Sequence, residues 1–119
     1  MRKILIVEDN PDFRDLLAIM LKDEGYTVYT ADDGEEGVKL VDADCPDLII
    51  TDINMPHMDG IEMVRVLRQK PECNRVPIIV LSAYGSGNLK DAIKAGADEA
   101  VRKPLDYDWF VTAINRLLE

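Results

Sequence analysis

The chain has 119 residues, which suits one compact domain and excludes a multidomain enzyme. With 47% hydrophobic and 31% charged residues it can build a core and fold unaided, unlike a disordered segment. Fourteen Lys and Arg against twenty-three Asp and Glu give a net charge of −9, which repels phosphate backbones and anionic lipid and argues against direct nucleic-acid or membrane binding.

Ile4-Leu5-Ile6-Val7 is a short, β-branched run of the kind buried on both faces of a parallel sheet. It stops at Glu8-Asp9, after which Asn10 offers an N-cap and Pro11 a first helical residue. Phe13, Leu16, Leu17, Met20 and Leu21 then recur at helical spacing until Gly25. Thr27 to Thr30 reads as a second strand, Asp32 or Asp33 as the cap of a helix through Val38 and Val41, and Leu48-Ile49-Ile50 as a third strand ending at Asp52.

A Met/Pro/Gly loop follows, then a helix carrying Ile61, Val64 and Leu67, then a fourth strand, Ile78-Ile79-Val80-Leu81, ending at Ser82. Leu89, Ala92 and Ile93 mark a weakly apolar helix closed by Gly96, and Ala100-Val101-Arg102 a last strand ending at Lys103-Pro104. Asp106 can cap a final helix with Phe110, Ile114 and Leu117 on its buried face. Five βα units without linker or repeat predict an α/β fold with an open parallel sheet of order 2-1-3-4-5, flavodoxin-like, helices on both faces.

In such a sheet the ligand site lies outside the carboxyl ends of the strands. Those ends carry Glu8 and Asp9, Asp52, Ser82 and Lys103. Three neighbouring carboxylates repel one another and raise at least one pKa unless a cation neutralises them. Oxygen donors without His or Cys favour Mg²⁺ or Mn²⁺ over zinc, with water positions left open for phosphate oxygens. Lys103 adds a point charge and Ser82 a hydroxyl donor, so Asp52 can act as a nucleophile that attacks phosphorus to form a mixed anhydride.

With these residues located, the sequence resembles the receiver domain of two-component response regulators over essentially its whole length. The resemblance rests on ILIVEDN at 4–10, LIITDINMPHMDG at 48–60, IIVLSA at 78–83 and GADEAVRKP at 96–104. It implies that Asp52 is the phosphoacceptor and Asp9 a direct Mg²⁺ ligand. Glu8 would help hold the ion through water, and Asn54 would give its backbone carbonyl. Ser82 and Lys103 would contact the phosphoryl group, and Pro104 would follow a cis peptide. The donor would be a sensor histidine kinase or phosphotransfer protein, and the responding face would comprise helix four, strand five and helix five.

One departure concerns Ala100, where family members often carry a Tyr or Phe ring that moves inward on phosphorylation; alanine has no ring to move. Tyr84, two residues after Ser82, is expected to modulate phosphoryl lifetime by shielding the anhydride from water.

Other features read as structural. His57, the single histidine, is expected to be solvated. Cys45 and Cys73, far apart in sequence, form neither a CxxC pair nor a disulfide framework and are expected to be inert thiols in a reducing compartment. The apolar run after Met1-Arg2-Lys3 is too short for a signal peptide or a membrane span, so the expected location is the cytoplasm. Gly85-Ser86-Gly87 lacks the rest of any nucleotide-binding motif and reads instead as a flexible entry to a helix able to shift on activation.

Two rival functions stand beside the signalling one. A small aspartate-nucleophile phosphatase of the haloacid dehalogenase-like kind needs DxD, and Asn54 occupies the position of its acid-base carboxylate. A degenerate module that binds partners without phosphorylation would explain Ala100 but not the five site residues.

Overall fold

The computed structural model describes residues 2–83 and 89–119. Five strands and five helices alternate: β1 (Lys3–Val7), α1 (Pro11–Asp23), β2 (Thr27–Ala31), α2 (Gly34–Ala43), β3 (Leu48–Asp52), α3 (Gly60–Arg68), β4 (Ile78–Ser82), α4 (Leu89–Ala95), β5 (Glu99–Arg102) and α5 (Tyr107–Leu117). All strand pairs are parallel and the order is β2-β1-β3-β4-β5, as the sequence predicts.

Alternation along each central strand divides the core in two. Ile4, Ile6, Leu48, Ile50, Ile79 and Leu81 face α1 and α5, meeting Leu17, Leu21, Phe110 and Ile114. Leu5, Val7, Ile49, Ile78 and Val80 face the other layer, meeting Val41, Met63, Val64, Leu67 and Ala92 from α2, α3 and α4. Both faces of the sheet are therefore covered, which is why the central strands read as unbroken apolar runs.

Side-chain caps set where the helices begin. The Asn10 side-chain Oδ1 accepts from the Asp12 and Phe13 amides at 3.0 and 3.1 Å, with Pro11 at the first position. Asp33, rather than Asp32, caps α2 through the Glu36 amide, Asp59 caps α3 and Asp106 caps α5. The Lys103–Pro104 peptide is cis, as the resemblance implies.

Three expectations are corrected. Leu16 does not join the core: it is 54% exposed because the buried stripe of α1 runs through Leu17, Ala18 and Leu21, leaving Leu16 and Ile19 outward. Ile93 is likewise 48% exposed, so that Ala92 is the residue α4 buries. Cys45 and Cys73 are joined by a disulfide, with Cα atoms 5.9 Å apart, and are not separate inert thiols. Cys45 follows α2 and Cys73 follows α3; these helices are neighbours on one face, so their C-terminal connections meet although 28 positions separate the cysteines.

Candidate functional site

Parallel pairing brings the ends of β1, β3, β4 and β5 to one edge, and the polar residues found there are those the sequence singles out. Glu8, Asp9 and Asp52 each offer an oxygen within 4.8 Å of the others. Glu8 and Asp52 are buried, at 2% and 6% exposure, whereas Asp9 is open to solvent. The set contains only carboxylate oxygens, the donor chemistry a hard divalent cation requires, and one exposed member gives such an ion a way in.

The position of Asp52 is fixed from both sides. Its carbonyl accepts from the Thr51 hydroxyl at 2.9 Å, and its carboxylate Oδ1 accepts from the Ile53 amide at 2.9 Å. The Ile53 amide region is held in turn, because Ile53 N–H also donates to Leu81 O at 3.0 Å and the Gly60 amide donates to Ile53 O at 2.8 Å. Gly60 is at the first turn of α3, and a Cβ there would lie 2.1 Å from the Asp52 carbonyl oxygen. Only a glycine allows α3 to start this close to the end of β3.

Lys103 closes the site. Its Nζ is 2.9 Å from Glu8 Oε1 and 3.5 Å from Asp52 Oδ2, and it stands 4.3 Å from the centroid of the Phe13 ring. The Lys103 amide donates to Ser82 O at 2.8 Å, so the backbone that ends β4 also positions the lysine, and Ser82 itself is fully buried. Burial pushes the Glu8 carboxyl above its ordinary range, against the opposing pull of the hydrogen bonds from Lys103 and the Asn10 amide. Repulsion from Asp52, the cause the sequence points to, adds to the rise but is smaller than that of burial.

The five residues predicted to gather, Glu8, Asp9, Asp52, Ser82 and Lys103, are thus brought together. Asn54 follows the site in an exposed position. Ala100 pairs with Val80 across the sheet and borders an apolar surface groove of about 370 Å³ with Leu89, Lys90, Ile93 and Lys94. Tyr84 and Gly85-Ser86-Gly87 lie outside the described residues. His57 is exposed and takes no part in the cluster. Sequence reasoning missed Phe13 and Gly60 as neighbours of the site; the glycine closing an Asp-Gly pair at a helix start was the available signal for the second.

A five-stranded parallel sheet of order β2-β1-β3-β4-β5 with an acidic cluster and a lysine at its carboxyl edge places the chain among the doubly wound α/β proteins that carry their site at the strand ends. The chain belongs to the response regulator receiver domain family, whose pattern matches residues 4–115. That family supplies the signalling phosphoacceptors of two-component and phosphorelay systems. The response regulator TrrA of Thermotoga maritima, in complex with Mg²⁺ and BeF, is 39% identical with a TM-score of 0.89, covering 99% of this chain and 100% of that one. The receiver domain of a sensor histidine kinase of Pseudomonas aeruginosa, with a magnesium ion coordinated in its active-site cleft, is 30% identical with a TM-score of 0.91, covering 98% and 97%. The hybrid signal transduction histidine kinase D of Dictyostelium discoideum is 38% identical over 116 residues, 97% of this chain but 7% of that protein. No helix among the described residues is long and apolar enough to cross a membrane.

Proposed function

We propose that residues 1–119 form a receiver domain in which Asp52 accepts a phosphoryl group from a phosphohistidine of a sensor histidine kinase or phosphotransfer protein. The observation that carries this reading is the Lys103 ammonium set between Glu8 and Asp52 beside a three-carboxylate cluster. An Asp52 carboxylate oxygen attacks phosphorus in line while the N–P bond of the donor breaks. The departing imidazole takes the bonding pair and a proton, and Asp52 is left as a mixed anhydride. Lys103 donates to one phosphoryl oxygen and the Ser82 hydroxyl to another.

Glu8, Asp9, Asp52 and the Asn54 carbonyl would hold Mg²⁺ or Mn²⁺, which supplies positive charge to the equatorial phosphoryl oxygens. Asp9, open to solvent, is the entry point, and buried Glu8 orients the cluster. Tyr84 slows loss of the phosphoryl group by excluding water. With Ala100 in place of an aromatic, the change of state is carried by Ser82 and Lys103 to a protein-binding face of α4, β5 and α5. The domain acts in the cytoplasm, away from nucleic acid and membrane.

The test is the intact mass after incubation with acetyl phosphate, with and without Mg²⁺, beside an Asp52→Asn control. One phosphoryl adduct that needs both Mg²⁺ and Asp52 supports the reading. A folded, Mg²⁺-binding protein that takes no adduct is instead a phosphorylation-independent interaction module, the alternative Ala100 favours. Consumption of the donor without limit revives the phosphatase reading.

A further inference from the structure

We propose that Phe13 is a positioning residue that holds the Lys103 ammonium over Asp52 when the carboxylates are occupied by a cation. This rests on the receiver reading above. The Lys103 side chain is a flexible four-carbon stem, and three groups meet its Nζ: Glu8 Oε1 at 2.9 Å, Asp52 Oδ2 at 3.5 Å and the face of the Phe13 ring, centroid at 4.3 Å. Two of these are members of the three-carboxylate cluster. A divalent ion bound there neutralises the charge that attracts Lys103, and a phosphoryl group then occupies the space beside Asp52. The ring is unaffected by either event. Its negative quadrupole attracts an ammonium in the half-buried site with no competition from the metal.

The ring is itself well placed to do this. Phe13 lies in the first turn of α1, its amide bound by the Asn10 cap at 3.1 Å, only five positions after Glu8. Phe13 also packs on the α1–α5 half of the core and borders a cavity with Leu16, Leu17, Met20, Pro104, Leu105 and Tyr107. The segment that supplies the acids therefore also supplies a neutral anchor for the lysine arriving from the opposite end of the chain.

The experiment compares Phe13→Leu, which keeps apolar bulk and loses the π face, with Phe13→Tyr, which keeps both. Two readouts are taken at saturating Mg²⁺: the rate of phosphorylation by acetyl phosphate, and the proton shift of the Lys103 ε-methylene, assigned with Lys103→Arg. A methylene held over a ring is shifted upfield. Phe13→Leu is expected to slow phosphorylation about three- to thirty-fold and to return the Lys103 resonance to the position of a solvated lysine, while Phe13→Tyr retains both. Wild-type rate in the Leu variant, equal slowing by Leu and Tyr, or an unshifted resonance in the wild type overturns the proposal. Should the wild type take no phosphoryl group, the receiver reading falls, and the shift alone decides whether Phe13 holds Lys103.

Discussion

Lys103 Nζ lies 2.9 Å from Oε1 of Glu8, a carboxylate only 2% exposed, so the charge of one is the chief compensation for burying the other. Lys103→Met removes the cation and leaves the acid in place. Without Mg²⁺ the variant is expected to lose about 1–3 kcal/mol of stability, the usual consequence of stranding a buried polar group. Glu8 already titrates above its ordinary range because of burial, and losing Lys103 raises it further. A carboxyl with a raised folded pKa stabilises the fold below its unfolded pKa and loses that contribution as pH rises through the folded value. The deficit should therefore be flat at low pH, grow as pH rises through the wild-type folded pKa of Glu8, which lies above its ordinary value of 4.5, and level above the still higher folded pKa of the variant. Denaturant titrations across this range check it; a deficit constant with pH would show that Glu8 is not the stranded group.

A divalent ion held by Glu8, Asp9 and Asp52 would answer the same buried charge. Mg²⁺ at about one hundred times its dissociation constant should stabilise the native state by about 2.7 kcal/mol, a rise in Tm on the order of 10 °C. Asp9→Asn takes away the exposed oxygen donor and should abolish most of that rise while leaving the metal-free Tm within a few degrees. An equal Mg²⁺ response in the variant would remove Asp9 from the ligand set.

These residues were legible in sequence because the sheet does the gathering. Once Ile4–Val7, Leu48–Ile50 and Ile78–Leu81 are read as parallel strands, whatever follows each must share an edge, and Glu8, Asp9, Asp52 and Ser82 follow. Caps were legible for a similar reason, since Asn10 and Asp106 act on amides two or three positions away. The disulfide was not, because it depends on which helices share a face and on how far each connection reaches. Nor was the role of Arg68, which donates to the carbonyls of Gly96, Asn74 and Val76 and to the Asp98 carboxylate, ties that no local pattern announces. Leu16 shows the converse limit: helical spacing told that α1 is amphipathic, but a stripe one residue narrower than the pattern leaves it outside.

The Cys45–Cys73 bridge closes a loop of 28 positions that contains β3 and α3. Constraining an unfolded chain over a loop of that length contributes about 3–4 kcal/mol. Reduction should lower the denaturant midpoint by a corresponding amount, and a Cys45→Ser/Cys73→Ser protein should show the lower midpoint whether or not reductant is present. The bridge joins connections at the edge of the sheet opposite Asp52, so phosphorylation by acetyl phosphate should be unchanged. An equal midpoint for the oxidised and reduced proteins would mean the crosslink does not constrain the unfolded chain.

His57 has a φ of +70°, the left-handed region, in the loop between β3 and α3. A side chain with a Cβ is held there against its preference, whereas glycine is not. After the entropy glycine loses on folding, His57→Gly should stabilise the protein by about 0.5–1 kcal/mol. Its imidazole is exposed, so Mg²⁺ affinity and phosphorylation should both be retained. Loss of either would mean the histidine belongs to the site after all.

Gly60 offers the opposite case, a small residue whose replacement reaches Asp52 through the backbone. A Cβ would stand 2.1 Å from the Asp52 carbonyl oxygen and 3.0 Å from Ile53 Cα, contacts with main chain that no side-chain rotation relieves. Either the start of α3 or the end of β3 must move. Because the Gly60 amide donates to Ile53 O and the Ile53 amide donates to Asp52 Oδ1, movement of either alters the aim of the carboxylate. Gly60→Ala is expected to cost about 1–3 kcal/mol of stability, as overpacking of a close contact does. It should also slow phosphorylation at a temperature where the variant is fully folded. The two readouts separate the causes: a loss of stability with the wild-type phosphorylation rate would show that α3 yields and Asp52 stays, whereas a slowed rate in a folded protein would show that the end of β3 has shifted.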